Sequence, residues 1–183
     1  MVYWFIALFD EQTEAQVKGM WKELKEHSLS YYIDEVKDGR PHITIASYEQ
    51  LDKEEYISKI DAFYEEVEKV ELTFNTVSSF LNYGTIFLAP TVTENLLSLH
   101  SEHHHHFERF NGSANSLYLP GKWIPHCTLA NDLSSEDLAN VYQYCFNHSD
   151  TIYGRIEEVA LIERIDENEE GMEAPIIYSK RLT

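Results

Sequence analysis

A short segment that occurs twice is the strongest constraint on how this chain can fold. Pro41-His-Ile-Thr-Ile-Ala46 and Pro125-His-Cys-Thr-Leu-Ala130 agree at proline, histidine, threonine and alanine. The chain has only 5 prolines and 9 histidines, so two matched Pro-His pairs are far from a chance pattern. Proline holds the chain extended and donates no ladder hydrogen bond, which is typical of the first residue of a strand. The repetition therefore predicts two equivalent strands.

The elements predicted around the two segments follow one order in both halves of the chain. Hydrophobic alternation predicts strands, in addition to the two histidine strands at 42–46 and 123–130, at residues 2–9, 70–80, 85–89, 152–165 and 175–182. Helical spacing behind a capping residue predicts four helices, which follow Thr13, Asp52, Thr91 and Ser134. Each motif histidine stands about forty residues after the start of its own half, which indicates a duplication.

We therefore expect an α+β fold in which residues 1–183 form one domain of two pseudo-symmetric lobes, about 1–80 and 81–183. Each lobe is a β-α-β-α-β unit, an antiparallel sheet with helices packed outside, and the active-site cleft lies between the lobes. The connections before the histidine strands, about residues 31–40 and 111–122, are long for a compact domain. Loops of that length beside a motif often carry functional residues.

The acidic composition limits the ligands. With 32 acidic and 14 basic residues the formal net charge is -18, so most of the surface repels a polyanion. Duplex nucleic acid and long single strands are not expected as partners. A small nucleotide or one RNA end, which presents few phosphates, remains possible at a locally basic pocket.

Cysteine usage and hydropathy bear on location. Cys127 and Cys145 are the only cysteines and have no CxxC spacing, which favours a reducing compartment. The apolar start of the chain lacks the basic lead-in of a signal peptide, and no apolar run approaches the roughly 20 residues of a membrane span. A cytoplasmic protein without a membrane partner is expected, and the sequence does not indicate its oligomeric state.

The motif residues suit chemistry at a phosphodiester. Residues i and i+2 of a strand share a face about 7 Å apart, so His42 points the same way as Thr44, and His126 the same way as Thr128. A twofold relation between the lobes would gather both imidazoles and both hydroxyls around one phosphate. In-line displacement at phosphorus needs a base and an acid, and two histidines can supply both near neutral pH. This scheme requires no metal and no cofactor.

The two H-x-T segments, their separation and the repeated topology resemble the two-histidine phosphoesterase superfamily, and more narrowly its 2′-5′ RNA ligase-like branch, over essentially the whole chain. The resemblance implies a bilobal fold, with His42 and His126 as acid and base and with Thr44 and Thr128 binding phosphate. It further implies 2′,3′-cyclic phosphodiesterase chemistry or the reversible joining of 2′-5′ linked RNA ends. RNA-handling members often carry a basic residue after the second motif, where this chain has Asn131-Asp132.

Five further residues are candidates for substrate binding. Arg40 and Lys122 stand just before the two motifs and could neutralise substrate phosphate, although ordinary surface charge is the alternative. Tyr83, Tyr118 and Trp123 could stack on a base, and core packing is the alternative for these aromatic residues.

Two other functions are compatible with the sequence. The first is a non-catalytic nucleotide or phosphate-binding module that uses the same cleft. The second is a metalloenzyme built on His100 and the run His103 to His106, because His100 and His104 stand one helical turn apart. We favour the interpretation without a metal site, in which these are solvent-exposed or packing histidines. His103 lies on the apolar face of the helix, and the others lie mostly on its solvent side.

Overall fold

Both halves of the chain form their elements in the order strand, helix, strand, helix, strand. The computed structural model describes residues 2–35, 39–168 and 171–183. Its elements are β1 (Val2–Phe9), α1 (Glu11–Glu26), α2 (Tyr32–Glu35), β2 (His42–Tyr48), α3 (Lys53–Phe63), β3 (Val70–Ser79), β4 (Ile86–Pro90), α4 (Glu94–His106), β5 (Cys127–Ala130), α5 (Ser135–His148), β6 (Ile152–Asn168), β7 (Gly171–Glu173) and β8 (Ile176–Arg181). The α+β fold is confirmed.

Side-chain caps fix the starts of the four long helices. Asp52 and Ser134 cap α3 and α5 as predicted, each accepting a hydrogen bond from the backbone three residues on. The predicted caps of the other two helices are wrong. Asp10, directly after β1, caps α1, and Thr93 caps α4. Each of these caps follows within three residues of the end of the preceding strand.

The strands form one antiparallel sheet in the order β2-β1-β6-β3-β4-β5, with β7 and β8 also paired to β6. The order is symmetric between the two halves of the chain. If β1, β2 and β3 exchange places with β4, β5 and β6, the same order results, read from the opposite edge. The third strand of each half, however, pairs with the first strand of the other half: β6 with β1, and β3 with β4. The expected division into lobes 1–80 and 81–183 is therefore a division of the sequence and not of space.

The two faces of the sheet have different environments. Along β1, Phe5 and Phe9 face the helices and belong to the main core, whereas Ile6 and Leu8 face the opposite side. The opposite side carries only a small apolar cluster, against which Trp4 packs. This second face opens into the cavity described below.

His103 of α4 is a core residue, as its place on the apolar face predicted. Its ring is stacked between Phe5 and Phe107, with centroid distances of 4.5 Å to each. Both ring nitrogens lie 3.0 Å from tyrosine hydroxyls, Nε2 from Tyr56 and Nδ1 from Tyr64. The imidazole is therefore buried without leaving an unsatisfied polar atom.

Of the two alternatives for His100 and His104, exposure to solvent and packing, the structure shows packing, because both are 2% exposed. His104 Nε2 lies 3.1 Å from the carbonyl oxygen of Ile45 in β2, and His100 Nε2 lies 2.7 Å from that of Tyr118. These backbone oxygens replace water and make burial tolerable. No group of three or more potential metal ligands forms among the described residues, and the two nitrogens are engaged by the protein itself.

The thiols of Cys127 and Cys145 are free and buried. In the part of the chain that the structure describes, no helix has the length and apolar character needed to cross a bilayer.

The buried histidines predict acid destabilisation. Burial lowers the pKa of His103 well below its usual value and that of His100 to about 4. The unfolded chain therefore binds more protons below about pH 6.5, and each such histidine lowers the free energy of unfolding by about 1.4 kcal/mol per pH unit as the pH falls. Urea unfolding between about pH 7 and about pH 5 measures this slope. His103→Gln removes one such histidine and should reduce this slope by up to about 1.4 kcal/mol per pH unit. The exposed control His105→Gln should leave the slope unchanged. A wild-type slope in His103→Gln would contradict the assignment.

Candidate active site

The two motifs lie on the edge strands of the sheet. β2 and β5 stand at opposite ends of the strand order, yet they are in contact, so the sheet curves until its edges meet. In β2, His42 and Thr44 are paired with Leu8 and Ile6, which face away from the helices. β5 begins at Cys127, so this strand is shorter than predicted, and His126 directly precedes it.

One cavity of about 1000 Å³ lies between the two motifs. This volume is at the upper end of the range for small-molecule sites. The structure brings all nine residues singled out from the sequence into its lining: His42, Thr44, His126, Thr128, Arg40, Lys122, Tyr83, Tyr118 and Trp123.

The two motif histidines are held by equivalent hydrogen bonds. His42 Nδ1 lies 2.7 Å from the carbonyl oxygen of Arg40, and His126 Nδ1 lies 2.7 Å from that of Ile124. A carbonyl oxygen only accepts, so each Nδ1 carries the hydrogen. In the neutral ring, Nε2 is then the unprotonated nitrogen that is available to a ligand.

Burial lowers the pKa of both motif histidines, and the carbonyl anchor of each ring opposes this shift. The charge of His126 lowers the pKa of His42 further. Because this repulsion disfavours two protons more than one, the pair passes through a singly protonated form. One base and one acid are then present together.

Two tryptophans brace the motif strands from the opposite halves of the sequence. Trp21 Nε1 in α1 donates to the carbonyl oxygen of Thr128 at 3.0 Å, and Trp123 Nε1 donates to that of Thr44 at 2.9 Å. These bonds satisfy carbonyl groups on strands that have a partner strand on one side only. Sequence reasoning missed Trp21, because it stands in the apolar stripe of α1 like any core residue.

The three aromatic candidates differ in their surroundings. Trp123 is half-buried, and its indole stacks on His100 at a centroid distance of 3.9 Å. Tyr118 is half-buried as well, and burial raises its pKa. Tyr83, between β3 and β4, is 66% exposed and is the freest of the three to contact a ligand.

The two basic candidates also differ. The Arg40 guanidinium forms ion pairs with Glu14 at 2.7 Å and Glu158 at 3.2 Å. Two carboxylates therefore already offset its charge, and a role of Arg40 in neutralising substrate phosphate stays a prediction. Lys122 is exposed and forms no ion pair with any residue that the structure describes.

Several lining residues were not anticipated. Tyr32 and Glu35, the first and last residues of α2, both line the cavity, and burial raises the pKa of the Tyr32 phenol. Residues 36–38 of the long connection before β2 lie outside the described part of the chain. Trp4, Ile6 and Ile162 form one wall, which the segment from Glu173 to Ile176 continues. Only Tyr32 and Glu35 had a signal in the sequence, since they lie on a connection flagged for its length.

Comparison with known proteins points in one direction. The model of a family described as the 2′-5′ RNA ligase superfamily matches residues 9–168. Among solved structures, E. coli LigT in complex with 3′-AMP is 14% identical, with a TM-score of 0.66 over 99% of this chain and 96% of that chain. The protein TT0787 of Thermus thermophilus is 15% identical, with a TM-score of 0.68 over 100% and 98%. LigT structures with NADP+ and ATP match equally well in coverage. No curated protein sequence gives a significant match.

The geometry predicts how the motif histidines titrate. Proton NMR of the ring Hε1 signals should give pKa values below about 6.5 for both His42 and His126. Since the charge of His126 lowers the pKa of His42, His126→Asn should raise it. The matched control His148→Asn, at the exposed end of α5, should leave the titration of His42 unchanged. An unaltered His42 midpoint in His126→Asn would show that the two rings do not interact.

Proposed function

Because this chain belongs to the 2′-5′ RNA ligase superfamily, we propose that it is a metal-independent phosphodiesterase that acts on the 2′,3′-cyclic phosphate or 2′-5′ phosphodiester of a nucleotide or an RNA end. The observation that carries the proposal is the pair of imidazoles that line one cavity, each anchored through Nδ1. Each ring thereby keeps Nε2 for the reacting groups. A family of phosphoesterases and RNA ligases is compatible with that chemistry.

In the proposed reaction on a cyclic phosphate, the neutral histidine takes a proton from water at Nε2. The water oxygen forms a bond to phosphorus as the bond to one ribose oxygen breaks. The protonated histidine gives its Nε2 proton to that leaving oxygen, and the product is a phosphate monoester. His42 and His126 exchange roles in the reverse direction, so both proton transfers come from the chain itself.

The threonine hydroxyls are proposed to hold the phosphate. Thr44 and Thr128 line the same cavity as the two rings, and each hydroxyl can donate to a non-bridging oxygen. The tryptophan bonds to their carbonyl oxygens hold the backbone at both positions. Lys122, which has no carboxylate partner among the described residues, is the cation proposed to screen the phosphate charge.

A small nucleotide is the proposed ligand class. The cavity is large enough for a mononucleotide, and Tyr83, Tyr118 and Trp123 offer aromatic surface to a base. LigT, which has the same fold, has been crystallised with 3′-AMP, NADP+ and ATP. The net charge of -18 disfavours an extended polyanion.

Removal of either imidazole should abolish turnover. His42→Ala and His126→Ala should each lower kcat on adenosine 2′,3′-cyclic phosphate roughly a hundredfold or more, since each removes one proton transfer. Phosphorus NMR resolves cyclic phosphate from product, and EDTA should leave the wild-type rate unchanged. His105→Ala, an exposed histidine of α4, is the control. Full activity in both motif variants would refute the proposal, and binding without product in the wild type would indicate the non-catalytic module instead.

The lowered pKa values of the motif histidines set the pH dependence. When a reaction needs one neutral and one protonated histidine, its rate has a bell-shaped dependence on pH. Burial lowers both pKa values and therefore shifts both sides of the bell to lower pH. The optimum of kcat/KM should therefore lie below about pH 6.5. The optimum of kcat should lie higher, because bound phosphate stabilises the imidazolium. Initial rates between about pH 4 and about pH 9 test this, and a kcat/KM that still rises above about pH 7.5 would contradict it.

A further inference from the structure

The lining of the cavity contains few basic side chains that are not already paired with a carboxylate. Among the described residues that line it, the charged side chains are Arg40, Lys122, Glu35 and Glu173. Arg40 is already paired with two carboxylates outside the cavity. Lys122 and the one protonated imidazole of the proposed reaction are then the cations that face the carboxylates of Glu35 and Glu173. The reacting phosphodiester lies next to the imidazolium, whereas each further phosphate adds repulsion without adding a cation.

The surroundings of Glu35 already disfavour negative charge. Burial raises the pKa of this carboxyl, and the nearby Asp132 raises it further. A second phosphate on this side of the cavity would face the same repulsion without a cation to offset it. Glu173, the last residue of β7, adds a second carboxylate to the lining.

One wall of the cavity is apolar up to Glu173 at its end. Trp4 and Ile6 of β1 and Ile162 of β6 form this wall, and Pro175 and Ile176 continue it. None of these side chains can pair with a phosphate or a sugar hydroxyl except through the single indole N–H of Trp4. A wall of this kind favours an aromatic or aliphatic group and penalises a charged one.

We infer that the cavity selects a phosphodiester with a single negative charge and an aromatic or apolar organic group, and that it rejects ligands that carry a second phosphate. The inference rests on the proposed function for the reacting group and names its substrate class. It places a free cyclic mononucleotide ahead of an RNA end, which brings further phosphates into the cleft.

Three substrates with the same reacting five-membered cyclic phosphate test the inference. They are adenosine 2′,3′-cyclic phosphate, the same compound with an added 5′-phosphate, and glycerol 1,2-cyclic phosphate. The first should have a kcat/KM at least roughly tenfold above each of the others. The 5′-phosphate of the second is repelled by the carboxylates of the lining, and the third lacks the adenine ring. Added salt should narrow the gap to the 5′-phosphorylated substrate and leave the gap to the glycerol compound.

Two acidic residues of the lining give matched variants. Glu35→Gln and Glu173→Gln should each raise kcat/KM for the 5′-phosphorylated substrate a few-fold, and the double variant should raise it further. The increase should be smaller for adenosine 2′,3′-cyclic phosphate, because that ligand brings fewer negative charges close to the two carboxylates. Glu54→Gln, on the exposed surface of α3, is the control and should change neither value.

The outcomes separate this inference from the proposed function. Hydrolysis of all three substrates with similar kcat/KM would overturn the inference and leave the proposed function standing. No hydrolysis of any substrate would overturn the proposed function. Isothermal calorimetry with the same ligands then decides: tighter binding of adenosine 2′,3′-cyclic phosphate supports the inference, and equal or tighter binding of its 5′-phosphorylated form overturns it.

Discussion

The contact between the two edge strands is the constraint on which the rest of the structure depends. β2 and β5 end the strand order on opposite sides, and β6 joins the two halves of the sheet by pairing with both β1 and β3. Ile156 is paired with Phe9 on one side and with Val70 on the other. Because both half-sheets share this strand, the motif edges hold a fixed relation to each other and meet around one cavity.

Polar bonds in buried places hold that geometry. Helices α1 and α4 each reach the motif strand of the other half, α1 through Trp21 to Thr128 and α4 through His104 to Ile45. Trp123 completes the arrangement by joining Thr44 and the ring of His100. Each contact satisfies a backbone oxygen that would be costly to bury unpaired. The histidine-rich face of α4 therefore supports the candidate active site from behind.

Electrostatics distinguish the cavity from the rest of the molecule. The chain is strongly acidic, and the described lining of the cavity has two acidic side chains and two basic ones, of which Arg40 is paired with carboxylates outside the lining. Within it, burial lowers the pKa of both Nδ1-anchored rings, and the charge of His126 lowers the pKa of His42 further. The proposed selection for a phosphodiester with a single charge and an apolar group depends on this distribution of charge.

Local sequence patterns determined the elements, their order and the direction of the motif side chains. The period of a strand places His42 and Thr44 on one face of β2. Of His126 and Thr128 in the second motif, only Thr128 lies within a strand, because β5 begins at Cys127. The α+β fold and the family followed from these features. The exchange of third strands, the burial of His100 and His104 and the pairing of Arg40 were decided only by the tertiary structure. The physical reason is distance along the chain: Glu158, which balances Arg40, is 118 residues away, and no local period records which distant group a side chain will meet.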